Sequence, residues 1–306
     1  MIFALIASIS VTFPAENQHL PATDRTYVIG AAETNRNDRL YLNGVEVDVY
    51  RTGAFLAMAR TLHGTNTLEF VQGTNVLVRR FVVASPQKVS ERRADLVKPH
   101  NPYEDLGIPA DVTCFAKPRK GTPPSDILVV IDAGHGGKDS GALSPRGLKE
   151  KDFNLRQAVS LEAEVRKAGF RVSMTRSDDS FPSLYSRPRL AVREKADVFI
   201  SIHHNATGVG GNPREARHTV AYASNEIGLG LAKAVQRQID KAVAPVSSRG
   251  AILKSLAVCR NPVVPSCLVE VDFINLPEGE EASLDPHRRR NVSRAIVMGV
   301  LDWLSE

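Results

Sequence analysis

The stretch "ILVVIDAGHGGKDSGA", residues 127–142, decides how the chain is read. Ile127 to Ile131 form an uninterrupted apolar run, as a strand buried on both faces requires. Asp132 ends the run, and Gly134, Gly136 and Gly137 then surround one imidazole, His135. Glycines at that point let the backbone turn sharply and let a ligand approach closely. In open α/β sheets, ligands lie beyond the carboxyl ends of the strands, and His135 stands at such an end.

Downstream the pattern alternates. In "FNLRQAVSLEAEVRKAGF", Leu155, Ala158, Leu161, Val165 and Ala168 recur at helical spacing, and Gly169 supplies the stop. "FRVSMTR", "DVFISI" and "CLVEV" read as strands. Further helices are expected within Ser183–Lys195, with Pro188 in the first turn, in "EIGLGLAKAVQRQIDKAV" and in "RRRNVSRAIVMGVLDWL". Residues 127–306 are therefore expected to be α/β, with a mainly parallel sheet covered by helices on both faces.

Upstream the period changes to two. "LYLNGVEVDVY" places Asn43-Gly44 between alternating apolar runs, the strongest short hairpin signal, because both central residues need positive φ. "GTNTLEFVQGTNVLVRRFVV" is a second pair of strand runs around a Gly-Thr-Asn turn. Residues 10–87 are thus expected to form a small antiparallel all-β sandwich. Its rhythm resembles the bacterial Ig-like modules that accompany secreted enzymes, and a spacer or a packing partner is the expected role. Residues 88–126 carry Pro99, Pro102, Pro109, Pro118, Pro123 and Pro124 among charges, the composition of a stiff connector.

The bulk numbers set limits. Apolar residues at 42% can build a core, and the net charge of +5 suits an anionic polymer or a cell envelope. No long Lys/Arg block supports nucleic-acid binding. The 3 cysteines form no CxxC pair; Cys259 and Cys267 could bridge, but buried free thiols are expected. "MIFALIASISVTFP" lacks a basic n-region and a clear cleavage site, so a signal peptide is not evident. No apolar run is long enough to span a membrane.

The chemistry concentrates at one edge. His135 follows "ILVVID", a histidine ends "VFISIH", Glu270 lies in "CLVEV", and Glu150 closes the loop that starts at His135. Two histidines and a carboxylate are the ligand set of a hydrolytic zinc site. A second carboxylate is then needed to move protons. Adjacent residues on a strand point to opposite faces, so only one of His203 and His204 can reach the metal, and geometry alone does not choose. A phosphate cradle is disfavoured, since Asp139 breaks the GxGxxG spacing and no Walker Lys-Ser pair follows. GxSxG and HExxH are absent as well. His218, His100, His63, His19 and His287 read as surface or loop residues.

"VVIDAGHGGKDSGA", "GLKEKDFNL", "MTRSDD", "ADVFISIHHNA" and "PSCLVEVDFINLPEGE" resemble, in order and spacing, the zinc-dependent N-acetylmuramoyl-L-alanine amidases of the amidase-3 type. The resemblance covers about residues 127–304. It implies zinc ligation by His135, Glu150 and His203, which selects His203 over His204, and a catalytic carboxylate at Glu270. It implies hydrolysis of the amide between N-acetylmuramic acid and L-alanine of peptidoglycan, hence an extracytoplasmic location. Asp272 and Leu276 stand where the family often has Gly and Asn, His204 replaces a frequent Ala, and "REARHTVAY" replaces a "G.E.Y" stretch. These departures leave the four catalytic positions intact and leave the shape of the peptide-binding groove open. Only a short segment joins "VAYAS" to the helix at Glu226, where activator-controlled members carry a plugging insertion, so an open site is expected. A zinc peptidase cutting elsewhere in the stem peptide, and a non-catalytic wall-binding protein, are the alternatives.

Overall fold

A computed structural model describes residues 9–34, 38–86, 104, 106–108, 117–244 and 246–306. The N-terminal strands are β1 (Ile9–Phe13), β2 (Gln18–Leu20), β3 (Arg25–Ala32), β4 (Leu40–Leu42), β5 (Val45–Val47), β6 (Ala54–Arg60), β7 (Gly64–Gln72) and β8 (Asn75–Val83). They form two sheets, ordered β1-β3-β6 and β2-β8-β7-β4-β5. The Asn-Gly hairpin is present: Leu42 pairs with Val45, and Asn43 and Gly44 have φ of 49° and 78°. One pairing departs from the antiparallel expectation, because β2 runs parallel to β8. The chain crosses between the sheets after β1 and enters the second one in the direction of β8.

Val28, Phe55, Phe70, Phe81 and Leu68 fill the space between these sheets. β3 is buried on both faces after its first residue. Its other face supplies Tyr27 and Ile29, which pack with Leu56 against Phe273 and Leu276 of the α/β unit. Burying a large apolar side chain contributes roughly 1.5–3 kcal/mol, so this second contact holds the β module as a packed partner. Thr12 Oγ1 donates to Pro145 O at 2.6 Å, and Arg25 Nε donates to Gly210 O at 3.1 Å. Tyr50 hydrogen-bonds Glu278.

The second unit contains β9 (Leu128–Ala133), α1 (Glu150–Lys167), β10 (Arg171–Met174), α2 (Ser186–Arg193), β11 (Val198–Asn205), α3 (Pro213–Ala216), β12 (Thr219–Ala223), α4 (Glu226–Ala242), β13 (Ser248–Leu253), β14 (Ser266–Phe273), α5 (Pro277–Leu284) and α6 (Pro286–Ser305). The sheet order is β10-β9-β11-β14-β12-β13. The first four strands are mutually parallel. β12 runs antiparallel to β14, and β13 runs parallel to β12, so the sheet is mixed rather than wholly parallel. The sequence reading did not resolve these two strands, because β12 is short and β13 is a largely exposed edge. Pro188 lies in the first turn of α2, as its missing N–H requires.

β9 is buried along its whole length. Val129 and Ile131 face the core made with α1, α4 and α6. Leu128 and Val130 face a second core with Phe199, Ala191, Val258 and Leu268. Leu106 and Ile108, from the Pro-rich segment, are buried in that second core, so part of the connector belongs to the α/β unit. Residues 87–103, 105 and 109–116 of that segment lie outside the described residues, as do Cys114, His100 and residues 1–8 of the N-terminal apolar stretch. Cys259 and Cys267 are buried free thiols, and burial pushes Cys267 up to about 12. Among the described residues no helix is long and apolar enough to cross a membrane. His218, read as a surface or loop residue, lies in the loop between α3 and β12 but is buried, with its ring against Phe273. His19, His63 and His287 are exposed.

Candidate functional site

The parallel half of the sheet gathers the expected residues at its carboxyl edge. His135 is the second residue past β9, and His203 lies near the end of β11. Glu270, on β14, is in direct register with His203. Glu150 differs from its expected place in a loop: it is the first residue of α1. A helix start favours a carboxylate, since unpaired N–H groups and the dipole point at it.

One carboxylate joins the two imidazoles. Glu150 Oε1 is 3.1 Å from His135 Nε2 and 3.1 Å from His203 Nδ1. Ligand atoms of these three residues all lie within 4.8 Å of one another, a set that could hold a metal ion. Burial opposes ionisation of Glu150, but hydrogen bonds from both histidines hold its carboxyl well below the usual range. Burial likewise opposes charging His135, yet Glu150 and Asp139 raise it to about 9. This cluster is a negative pole between two rings, and a divalent cation satisfies it as the imidazolium protons do.

Two close approaches explain glycines here. A Cβ on Gly134 would lie 2.2 Å from His203 Nε2, so the ring occupies the space a side chain would take. A Cβ on Gly141 would lie 2.5 Å from Glu150 Oε2 and 2.8 Å from His135 Cδ2. His135 itself has φ of 60°, a costly conformation for a residue with a Cβ.

Supports around the triad come from residues to which the sequence assigned no part in the site. Asp139, the residue that breaks the phosphate-loop spacing, has Oδ2 2.9 Å from His135 Nδ1. Asn154 donates to Glu150 Oε1 at 3.2 Å and to Gly134 O at 3.2 Å. Within "MTRSDD", Arg176 donates to the carbonyls of Ala133 and Gly134 at 2.8 Å each. Asp179 accepts from Gly137 N at 2.9 Å and from Lys151 Nζ at 2.6 Å. Arg187 donates to Asp132 at 2.8 Å and to His135 O at 2.7 Å. Asp139 could have been found from its position four residues past His135. The others carried no sequence signal beyond their place in the motifs.

His203 and His204 separate as strand alternation requires. His203 faces the cluster, whereas His204 is buried on the opposite face beside Phe153. His204 Nδ1 is 2.8 Å from Asn154 Oδ1. Burial pushes His204 down to about 4, so it is neutral. Glu270 has one oxygen, Oε2, buried with no hydrogen-bond partner. Burial pushes its carboxyl up to about 7. A carboxyl poised there can take and return a proton near neutral pH.

Comparison with known proteins bears on this arrangement. Residues 129–302 match the amidase-3 family model, described as N-acetylmuramoyl-L-alanine amidase. The chain is 33% identical over 205 residues to the "Probable cell wall amidase LytH" of Staphylococcus epidermidis, covering 66% of this chain and 65% of that protein. The chain thus spans about two thirds of the length of the curated relatives it matches. The catalytic domain of CwlV, an N-acetylmuramoyl-L-alanine amidase from Bacillus (Paenibacillus) polymyxa var. colistinus, superposes with a TM-score of 0.54 at 32% identity, covering 58% of this chain and 98% of that one. An N-acetylmuramoyl-L-alanine amidase from Clostridium difficile 630 superposes with a TM-score of 0.55 at 34% identity, covering 59% and 97%. With the family model spanning more than half its length, the chain belongs to the amidase-3 family of N-acetylmuramoyl-L-alanine amidases.

Proposed function

We propose that the protein is a zinc-dependent cell-wall hydrolase that cuts the amide between the lactyl group of N-acetylmuramic acid and L-alanine of the peptidoglycan stem peptide. His135, Glu150 and His203 would hold the ion. The observation that carries the reading is the juxtaposition of this triad with Glu270, one strand away and in register with His203. Zinc in such a set supplies a Lewis acid and lowers the pKa of water to ~7.

The chain's own residues do the rest. Glu150 neutralises charge at the cluster and orients both rings. Asp139 fixes the His135 ring from its far side. Glu270 accepts the proton of the attacking water and delivers it to the departing amine nitrogen. Its Oε2 has no hydrogen-bond partner, so no neighbour competes with it for the carboxyl proton. The Ser224-Asn225 link between β12 and α4 leaves no insertion there to cover the triad, which supports a site open without an activator. Murein lies outside the cytoplasm, and an extracytoplasmic location follows from that substrate.

Mass spectrometry of sacculi digested with the purified protein tests the reading. Free lactyl carboxyl groups on muramic acid, paired with peptides starting at L-alanine, are expected. Cleavage only within the stem peptide would replace the amidase with a peptidase, and binding with no cleavage would remove the enzyme reading altogether.

A further inference from the structure

We propose that Arg249 and Lys254, on the reversed edge of the large sheet, form an anion subsite that takes a carboxylate of the substrate's peptide limb. This rests on the amide-hydrolase reading and deepens it.

Strand order gives the substrate a direction. His135 follows β9, His203 lies near the end of β11, Glu270 is on β14, and β12 and β13 lie beyond it. A group that protonates a leaving amine must lie on the amine side of the bond. The amine belongs to the peptide. The peptide limb therefore leaves the histidines across β14 toward β12 and β13, and the glycan limb extends the other way, toward β10.

The surface on that path is specific. Val220 is opposite Glu270, and Tyr222 is opposite Leu268. Tyr222 is two residues from Val220 and shares its face. Tyr222 is in turn opposite Ile252 of β13. Lys254 places Nζ 4.8 Å from the centre of the Tyr222 ring. Its backbone is pinned, because Lys254 N donates to Ala223 O at 2.8 Å and Lys254 O accepts from Ser224 Oγ at 2.9 Å. Arg249 lies toward the other end of β13, and its charge acts on the Tyr222 hydroxyl. β13 lies two strand spacings from β14, about 10 Å, which is the reach of a short peptide.

These two cations differ from the arginines near the site. Arg187 is paired with Asp132, and Arg217 and Arg288 are paired with Asp272. Among the described residues, neither Arg249 nor Lys254 forms a close ion pair with a carboxylate, and the charge of Lys254 reaches Glu270 across β12. Both are exposed. A stem peptide carries free carboxylates, and a charge-assisted hydrogen bond from each cation fixes its direction and register.

The test compares two synthetic substrates, N-acetylmuramoyl-L-alanyl-D-glutamate and its bis-carboxamide. The wild type is expected to prefer the acid by about tenfold or more in kcat/KM. In Arg249→Ala/Lys254→Ala the ratio is expected to fall toward one, through KM on the acid, and Lys254→Arg is expected to restore part of it. A ratio unchanged in the double variant overturns the subsite, as does a wild type that does not distinguish the substrates. A wild type that cleaves neither substrate overturns the amidase reading instead. Calorimetric binding of free L-alanyl-D-glutamate and its bis-carboxamide to wild type and double variant then decides the subsite without turnover. Acid-selective binding lost in the double variant upholds it, and equal binding overturns it.

Discussion

The parallel half of the large sheet and its reversed edge use charge in opposite ways. Around β9, β10 and β11, the side chains behind the triad are engaged internally: Arg176 and Arg187 hold carbonyls of the glycine-rich turn, and Asn154 holds Glu150. On β13 and just past its end, Arg249 and Lys254 form no close ion pair among the described residues. A metal ligand must be fixed before the ion arrives, so its surroundings are saturated with hydrogen bonds. A substrate contact must be free until substrate arrives. On the proposed reading, saturated and unsaturated charge within one sheet would separate the holding of an ion from the reading of a ligand.

Breaking the saturated half should have the largest effect. Glu150→Ala removes the carboxylate that joins both rings, and peptide release from purified sacculi is expected to fall to background. Next comes Glu270→Gln, which leaves the triad complete. It should retain bound metal and lose about 10²–10⁴-fold in turnover, measured as muropeptide release. Near-normal release would take Glu270 out of the mechanism. Asn154→Ala sharpens the comparison, because it touches only a support. Metal affinity is expected to drop about 10–100-fold by competition with a chelator, with the fold retained by circular dichroism.

Away from both halves, Ile29→Ala cuts the contact between the β module and Phe273 and Leu276. A loss of about 2–5 kcal/mol in unfolding free energy is expected, read from denaturant titration, with metal content unchanged. Separate melting of the β module in that variant would show that this face couples the two units.

Much of this was legible in sequence, for identifiable reasons. The run 127–131 is apolar on both faces because β9 is covered on both, and Asn43-Gly44 announced its hairpin through required positive φ. Strand ends concentrate ligands, which points to His135, the His203–His204 pair and Glu270, with Glu150 closing the loop from His135; the amidase-3 resemblance selects His203, and the fold brings the four side chains to one edge. Other features depend on contacts distant in sequence. Nothing in "TVAYA" or "SRGAIL" reveals that these strands run against β14. Gly141 looks like any loop glycine until Glu150 folds back against it. The module's second apolar face on β3 reads as an ordinary buried strand, yet half of it packs on Phe273 and Leu276.

Zinc titration of the metal-free protein tests the central claim most directly. His135 is raised to about 9 without metal, so it is protonated at pH 7 and the ion must displace that proton. One zinc per chain is expected, with proton uptake by the buffer and an affinity that weakens as pH falls. Binding should vanish in His203→Ala and persist in His204→Ala. Equal zinc binding by wild type and both variants would contradict the account.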